Sequence, residues 1–134
     1  MNASQMNSMW TYTAYMLNKY AERNPDKSSV SLDDFSNFVF DILWKDYKVV
    51  FHDSRDDLLC DLKYLEKLKV LDLKEGIGFK NRDKLRQVAE VVENSSLLTG
   101  VKLLDTYRER IDNAIDFWMK RGEYGGKSKL EKVH

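Results

Sequence analysis

The sequence predicts a mainly α-helical fold with a small β-hairpin and a long C-terminal helix. Three observations carry that prediction. Apolar residues recur at helical spacing in several separate segments. The period turns to two most clearly over residues 68–82, "LKVLDLKEGIGFKNR", where two glycines interrupt it. Two helix starts carry a serine with an aspartate three residues later, close to a capping box. With 134 residues, 43% hydrophobic and 33% charged, the chain suits one domain that can bury a core.

Residues 1–8 are polar and read as a flexible N-terminus. Met9, Thr13, Met16, Leu17 and Tyr20 then recur at helical spacing, with Trp10, Tyr12 and Tyr15 adding aromatic bulk. These aromatics read as core or interface. A ligand platform in a pocket between the first and last helices is the other use they could serve. The helix stops near Asn24, because Pro25 disfavours helical geometry in its predecessor. Val30 precedes Ser31, the N-cap of a second helix. Phe35, Phe38, Val39, Ile42 and Leu43 form its stripe, which runs to about 44–47. "KVVFH" follows as either a strand or a buried connector.

Ser54 opens the third helix. Leu58, Leu62 and Leu65 share one face, widened by Leu59 and Leu68. Asp56, Cys60, Lys63 and Lys67 lie opposite, with Tyr64 on the flank. Val70, Leu71 and Leu73 read as a strand, Glu75-Gly76 as a turn, and Ile77 and Phe79 as the returning strand. Gly76 or Gly78 supplies a positive φ. A fourth helix over 83–93 buries Leu85, Val88, Ala89 and Val92, and "NSS" breaks it. A fifth runs over 96–121, and the glycine-bearing tail over 122–134 reads as flexible.

The order helix, short extended segment, helix, helix, hairpin, helix resembles a winged helix-turn-helix domain. The stretch that carries the likeness is "DDLLCDLKYLEKLKVLDLKEGIGFKNRDKLRQVAEVV". The resemblance covers residues 9–94, with 95–121 as a terminal helix for dimerisation. It implies that the helix at 54–68 lies in the major groove of double-stranded DNA and that the hairpin at 70–80 is a wing. The DNA-binding set it implies is Arg55, Lys63, Tyr64, Lys67, Lys74, Lys80, Arg82 and Lys84. Clusters of this kind bind phosphate by releasing condensed counterions. The function implied is a cytoplasmic, dimeric DNA-binding regulator of transcription.

Leu97, Val101, Leu104, Ile111, Ile115 and Trp118 fall near a 3.5-residue period, broken by Arg108, and form the expected homodimer interface. A helix of about 25 residues spans ~37 Å, more than a small domain needs for itself. A competing use comes from the charge. The formal net charge is zero and the pI about 6.7. The third helix begins "SRDD" and also holds Asp61 and Glu66, carboxylates that repel phosphate. The same fold could therefore serve as a protein-interaction or assembly module.

Other chemistry is poorly represented. Cys60 reads as a packing residue and cannot form an internal disulfide. Of two histidines, His52 reads as structural and His134 is terminal; no Cys/His spacing resembles a metal site. The pairs Asp33-Asp34 and Asp56-Asp57 stand at helix starts, where the helix dipole accounts for them. No glycine-rich phosphate loop or nucleophile elbow is present. The expectation is therefore no enzyme, no cofactor and no metal. No apolar run approaches the ~20 residues that span a bilayer, so no membrane partner is expected.

Overall fold

Helix α1 (Ala3–Arg23) is the central element of the structure, a computed structural model that describes the backbone of residues 3–99 and 108–120 and the side chains of 10–91 and 108–120. The helix presents more than a stripe. Residues 11–18 are all buried, as are Tyr20 and Ala21, so α1 is covered on every side over this span. It starts at Ala3, ahead of the apolar period. Pro25 ends it as expected. Asn24 closes the last turn, its backbone N–H donating to Tyr20 O at 3.0 Å and its side-chain amide to the same carbonyl at 2.9 Å.

Strand β1 (Ser29–Val30) leads into α2 (Leu32–Asn37), which continues as a π-helical stretch, Phe38–Asp46. Ser31 caps α2 by accepting the Asp34 N–H at 2.9 Å. The expected stripe is buried throughout. The wider winding is new: the Tyr47 N–H reaches Ile42 O, five residues back, at 3.2 Å. The connector that follows pairs with no strand. Val49 and His52 are buried in it, and Phe51 stacks on Tyr12 at 4.6 Å.

Helix α3 (Arg55–Lys67) is capped by Ser54, whose hydroxyl accepts the Asp57 N–H at 3.3 Å. Leu58, Leu62 and Leu65 are fully buried. At the other end the Lys69 N–H donates to Glu66 O at 2.9 Å and the Val70 N–H to Leu65 O at 3.0 Å, a Schellman closure. Lys69 takes φ +64° there, a left-handed conformation that glycine adopts without penalty. Lys69→Gly is expected to stabilise the protein by about 1 kcal/mol, read as a higher denaturation midpoint at unchanged slope.

The hairpin is shorter than its alternation suggests. Strand β2 (Ile77–Gly78) pairs antiparallel with β1, Ser29 opposite Gly78 and Val30 opposite Ile77. On the descending arm Asp72 alone bridges, to Gly78, with N···O distances of 2.9 and 2.6 Å. Val70 and Leu71 are both fully buried, so they do not alternate as strand residues. The helix closure consumes Val70, and the arm straightens only afterwards. Gly76 has φ +85°, and a Cβ there would stand 3.0 Å from Val30 O.

Helix α4 (Arg82–Thr99) buries Leu85 and Ala89 and runs through Asn94-Ser95-Ser96. The expected break is absent because Asn and Ser each cost a helix only about 0.5 kcal/mol, unlike proline. The fifth helix, α5, is described over 108–120. It packs on its own domain. Ile111, Ala114 and Ile115 are fully buried, and Trp118 stacks on Phe38 at 4.4 Å and meets Tyr20 at 4.9 Å. The Tyr15 hydroxyl donates to Asp112 at 2.5 Å, and Arg23 pairs with Asp116. This corrects the expected dimer seam: Ile111, Ile115 and Trp118 face the core of the same chain. Their spacing fits any apolar groove, and α1 with α2 supplies one. Leu97, Val101 and Leu104 lie outside the described side chains.

Candidate nucleic-acid interface

The candidate surface is the outer face of α3 with the adjoining hairpin. Three of the four acids of α3 have hydrogen-bond partners within the protein, though each keeps its charge. Asp61 turns toward α1. Its Oδ2 stands 2.6 Å from His52 Nε2 and accepts the Thr13 hydroxyl at 3.1 Å, while the same hydroxyl lies 3.3 Å from His52 Nε2. Thr13 is fully buried, the His52 side chain is 2% exposed and that of Asp61 18%. His52 Nδ1 has no hydrogen-bond partner among the described residues. An ionised carboxylate only accepts, so at 2.6 Å the proton of a neutral ring belongs on Nε2, donated to Asp61. Glu66 accepts the Leu73 N–H at 3.0 Å and ties the hairpin to the helix. Asp57 accepts the Asp53 N–H at 3.2 Å at the first turn.

The outward line of α3 then reads Asp56, Cys60, Lys63 and Lys67, all exposed. Tyr64 flanks it, 41% exposed, its ring 5.0 Å from Trp10. Lys63 and Lys67 have no ion pair among the described residues, and the same holds for Lys74 and Lys80 on the hairpin. Asp72 accepts the Lys74 N–H at 2.8 Å, shaping the turn that presents that lysine. A surface groove of about 390 Å³ runs beside the small sheet, lined in part by Ser28, Ser29, Lys74 and Lys80.

The other members of the expected set are held by the fold. Arg82 donates through Nη1 to Ala21 O at 2.9 Å and through Nη2 to Lys27 O, and its guanidinium lies 5.2 Å over the Phe79 ring. It therefore clamps the end of α1 to the start of α4 instead of standing free for phosphate. Lys84 Nζ donates to Leu68 O at 2.6 Å and caps α3, a good use of a cation at a helix C-terminus. Arg55 pairs with Asp33 at 2.5 Å, joining the starts of α2 and α3. The structure thus leaves Lys63, Tyr64, Lys67, Lys74 and Lys80 exposed and gives Arg55, Arg82 and Lys84 internal partners.

Sequence reasoning missed the Thr13–His52–Asp61 contact. A helical wheel carried part of the signal. Asp61 sits about 40° from Leu65 and about 100° from Leu62, at the border of the buried arc. Nothing local could pair it with His52, which arrives from the connector.

A cleft of about 650 Å³ opens between the ends of α1 and α5, lined by Tyr20, Arg23, Lys27, Asp34, Asp116 and Trp118 among others. The cavity expected of a pocket between the first and last helices is therefore present, with Tyr20 and Trp118, 7% and 8% exposed, on its walls beside the charged Arg23, Lys27, Asp34 and Asp116. Among the described residues no group of three or more His, Cys, Asp or Glu side chains could hold a metal ion. No described helix is long and apolar enough to cross a membrane. Searches of family models, of curated proteins and of solved structures find no match to the chain.

Proposed function

We propose that the protein binds double-stranded DNA through α3 and the hairpin, in the manner of a winged helix-turn-helix domain. The observation that carries this reading is which charged side chains of α3 have partners within the protein and which do not. Asp57, Asp61 and Glu66 bond within the protein, while Lys63 and Lys67 remain exposed on its outer line, and Lys74 and Lys80, with Glu75, are exposed on the hairpin. The strand order adds support, since the segment before α2 pairs with the returning arm of the hairpin. Regulation of transcription by a homodimer belongs to the same proposal. Two-fold symmetry would set two copies of α3 on successive turns of the duplex, with a contact surface other than Ile111, Ile115 and Trp118.

Fluorescence anisotropy with a labelled random-sequence duplex tests this. Micromolar affinity is expected at about 50 mM salt, falling steeply by about 200 mM. Replacing Lys63 and Lys67 together by alanine should lower the salt slope by about two, one for each phosphate no longer neutralised. Absence of binding at low salt, or binding indifferent to salt, contradicts the proposal. A second reading, a protein-interaction module, rests on Trp44 and Phe117, 37% and 43% exposed, since interfaces favour such aromatic side chains. A chain with no duplex affinity leaves that reading standing.

A further inference from the structure

We infer that Asp56 reads a base, and that the preferred duplex presents a cytosine to it with guanines further along the same groove. The inference rests on the duplex reading above. Of the four acids of α3, Asp56 alone has no hydrogen bond or ion pair among the described residues. It is exposed and lies in line with Lys63 and Lys67.

The helix dipole favours both acids of the first turn, but Asp57 also accepts the Asp53 N–H, whereas Asp56 has no such bond among the described residues. A free carboxylate on a face that approaches phosphate weakens binding to every sequence unless a base donates to it. In the major groove the exposed amino donors are cytosine N4 and adenine N6. Adenine sets its N7 acceptor beside the donor, which repels a carboxylate, so cytosine is the partner that fits. An ammonium has the opposite need, and guanine O6 and N7 supply two acceptors. Carboxylate and ammonium therefore both select G·C pairs. Lys63 and Lys67 lie about 10 and 16 Å beyond Asp56 along the axis, at 1.5 Å per residue. For a helix lying along the groove, the two lysines therefore reach base pairs successively further along it than Asp56 does.

Sequencing the duplexes that the full chain retains from a randomised pool tests the inference. The wild type should enrich cytosine at one position about tenfold. Asp56→Ala should lose that enrichment and keep the enrichment of guanine, and Asp56→Asn should shift the position toward adenine, which asparagine pairs with through N6 and N7. Thermal melts of both variants should match the wild type, since the side chain is exposed. If Asp56→Ala instead tightens binding to all sequences alike with an unchanged profile, the residue only repels phosphate and the inference falls. A wild type that binds with a flat profile overturns the inference alone. A wild type that binds no duplex at low salt overturns the duplex reading and the inference with it.

Discussion

Ile115→Asp is expected to unfold the protein, not to split a dimer. The side chain is fully buried on α5, between Ile111 and Trp118, in the core shared with α1 and α2. Replacing it removes the burial of an isoleucine and puts a carboxylate where only apolar groups surround it. The first loss alone costs about 2–5 kcal/mol and the second adds to it. A domain of this size has about 5–15 kcal/mol to lose. The thermal midpoint should fall by roughly 15 °C or the cooperative transition should disappear. Phe117→Asp is the comparison on the same helix: at 43% exposure, with its ring against Tyr47, it should lower the midpoint much less than Ile115→Asp does. If Ile115→Asp melts like the wild type while light scattering shows a dimer become a monomer, the burial of α5 in its own domain is wrong.

Asp61→Ala is expected to cost about 2–4 kcal/mol, a large penalty for a charged residue on a helix that also faces solvent. The carboxylate serves two groups at once, His52 Nε2 at 2.6 Å and the Thr13 hydroxyl at 3.1 Å. Among the described residues, removing it leaves the Nε2 proton with the Thr13 hydroxyl at 3.3 Å alone, and Nδ1 without a partner. The cost is that of stranding a buried donor, which exceeds the net gain from one hydrogen bond. His52→Ala should destabilise by a similar amount, and the double variant by much less than the sum. A coupling of about 1–3 kcal/mol in that cycle is the signature of direct contact. The opposite outcome is equally definite. Were Asp61 a surface acid, its removal would change stability by less than about 0.5 kcal/mol and would tighten duplex binding by relieving repulsion.

These variants mark where sequence reading succeeds and where it stops. The starts of α2 and α3 were legible because a cap is a local device: Ser31 and Ser54 each bond an N–H three residues ahead. The stripes Phe35–Leu43 and Leu58–Leu65 were legible because period alone decides which face of a helix can be buried. The hairpin turn was legible at Gly76, where φ is positive. Its strand pairing was not. The partner of Ile77 is Val30, some 47 positions away and separated from it by two helices, and no local pattern carries that distance.

The charged face was the least legible part. Sequence assigns eight residues to DNA contact by type and neighbourhood, and it counts four acids on α3 against that role. Arg82 is spent on two carbonyls, Lys84 on a third, and Arg55 on Asp33. The same kind of contact gives Asp57, Asp61 and Glu66 internal partners, while Asp57 and Glu66 stay exposed and charged. A charge has one meaning when it faces water and another when it bonds a carbonyl or a histidine, and only the packed chain distinguishes them.

By itself, then, the sequence determined the helical segments, most of their ends and the faces they bury, because propensity, capping and periodicity act within a few residues. The tertiary structure alone decided three things. It placed α5 in the core of its own domain, it turned Asp61 inward onto His52 and Thr13, and it left Asp56 as the single unengaged acid on the outer line of α3 among the described residues. Each depends on which groups distant in the chain arrive at the same place, and desolvation and hydrogen bonding act only once they have met.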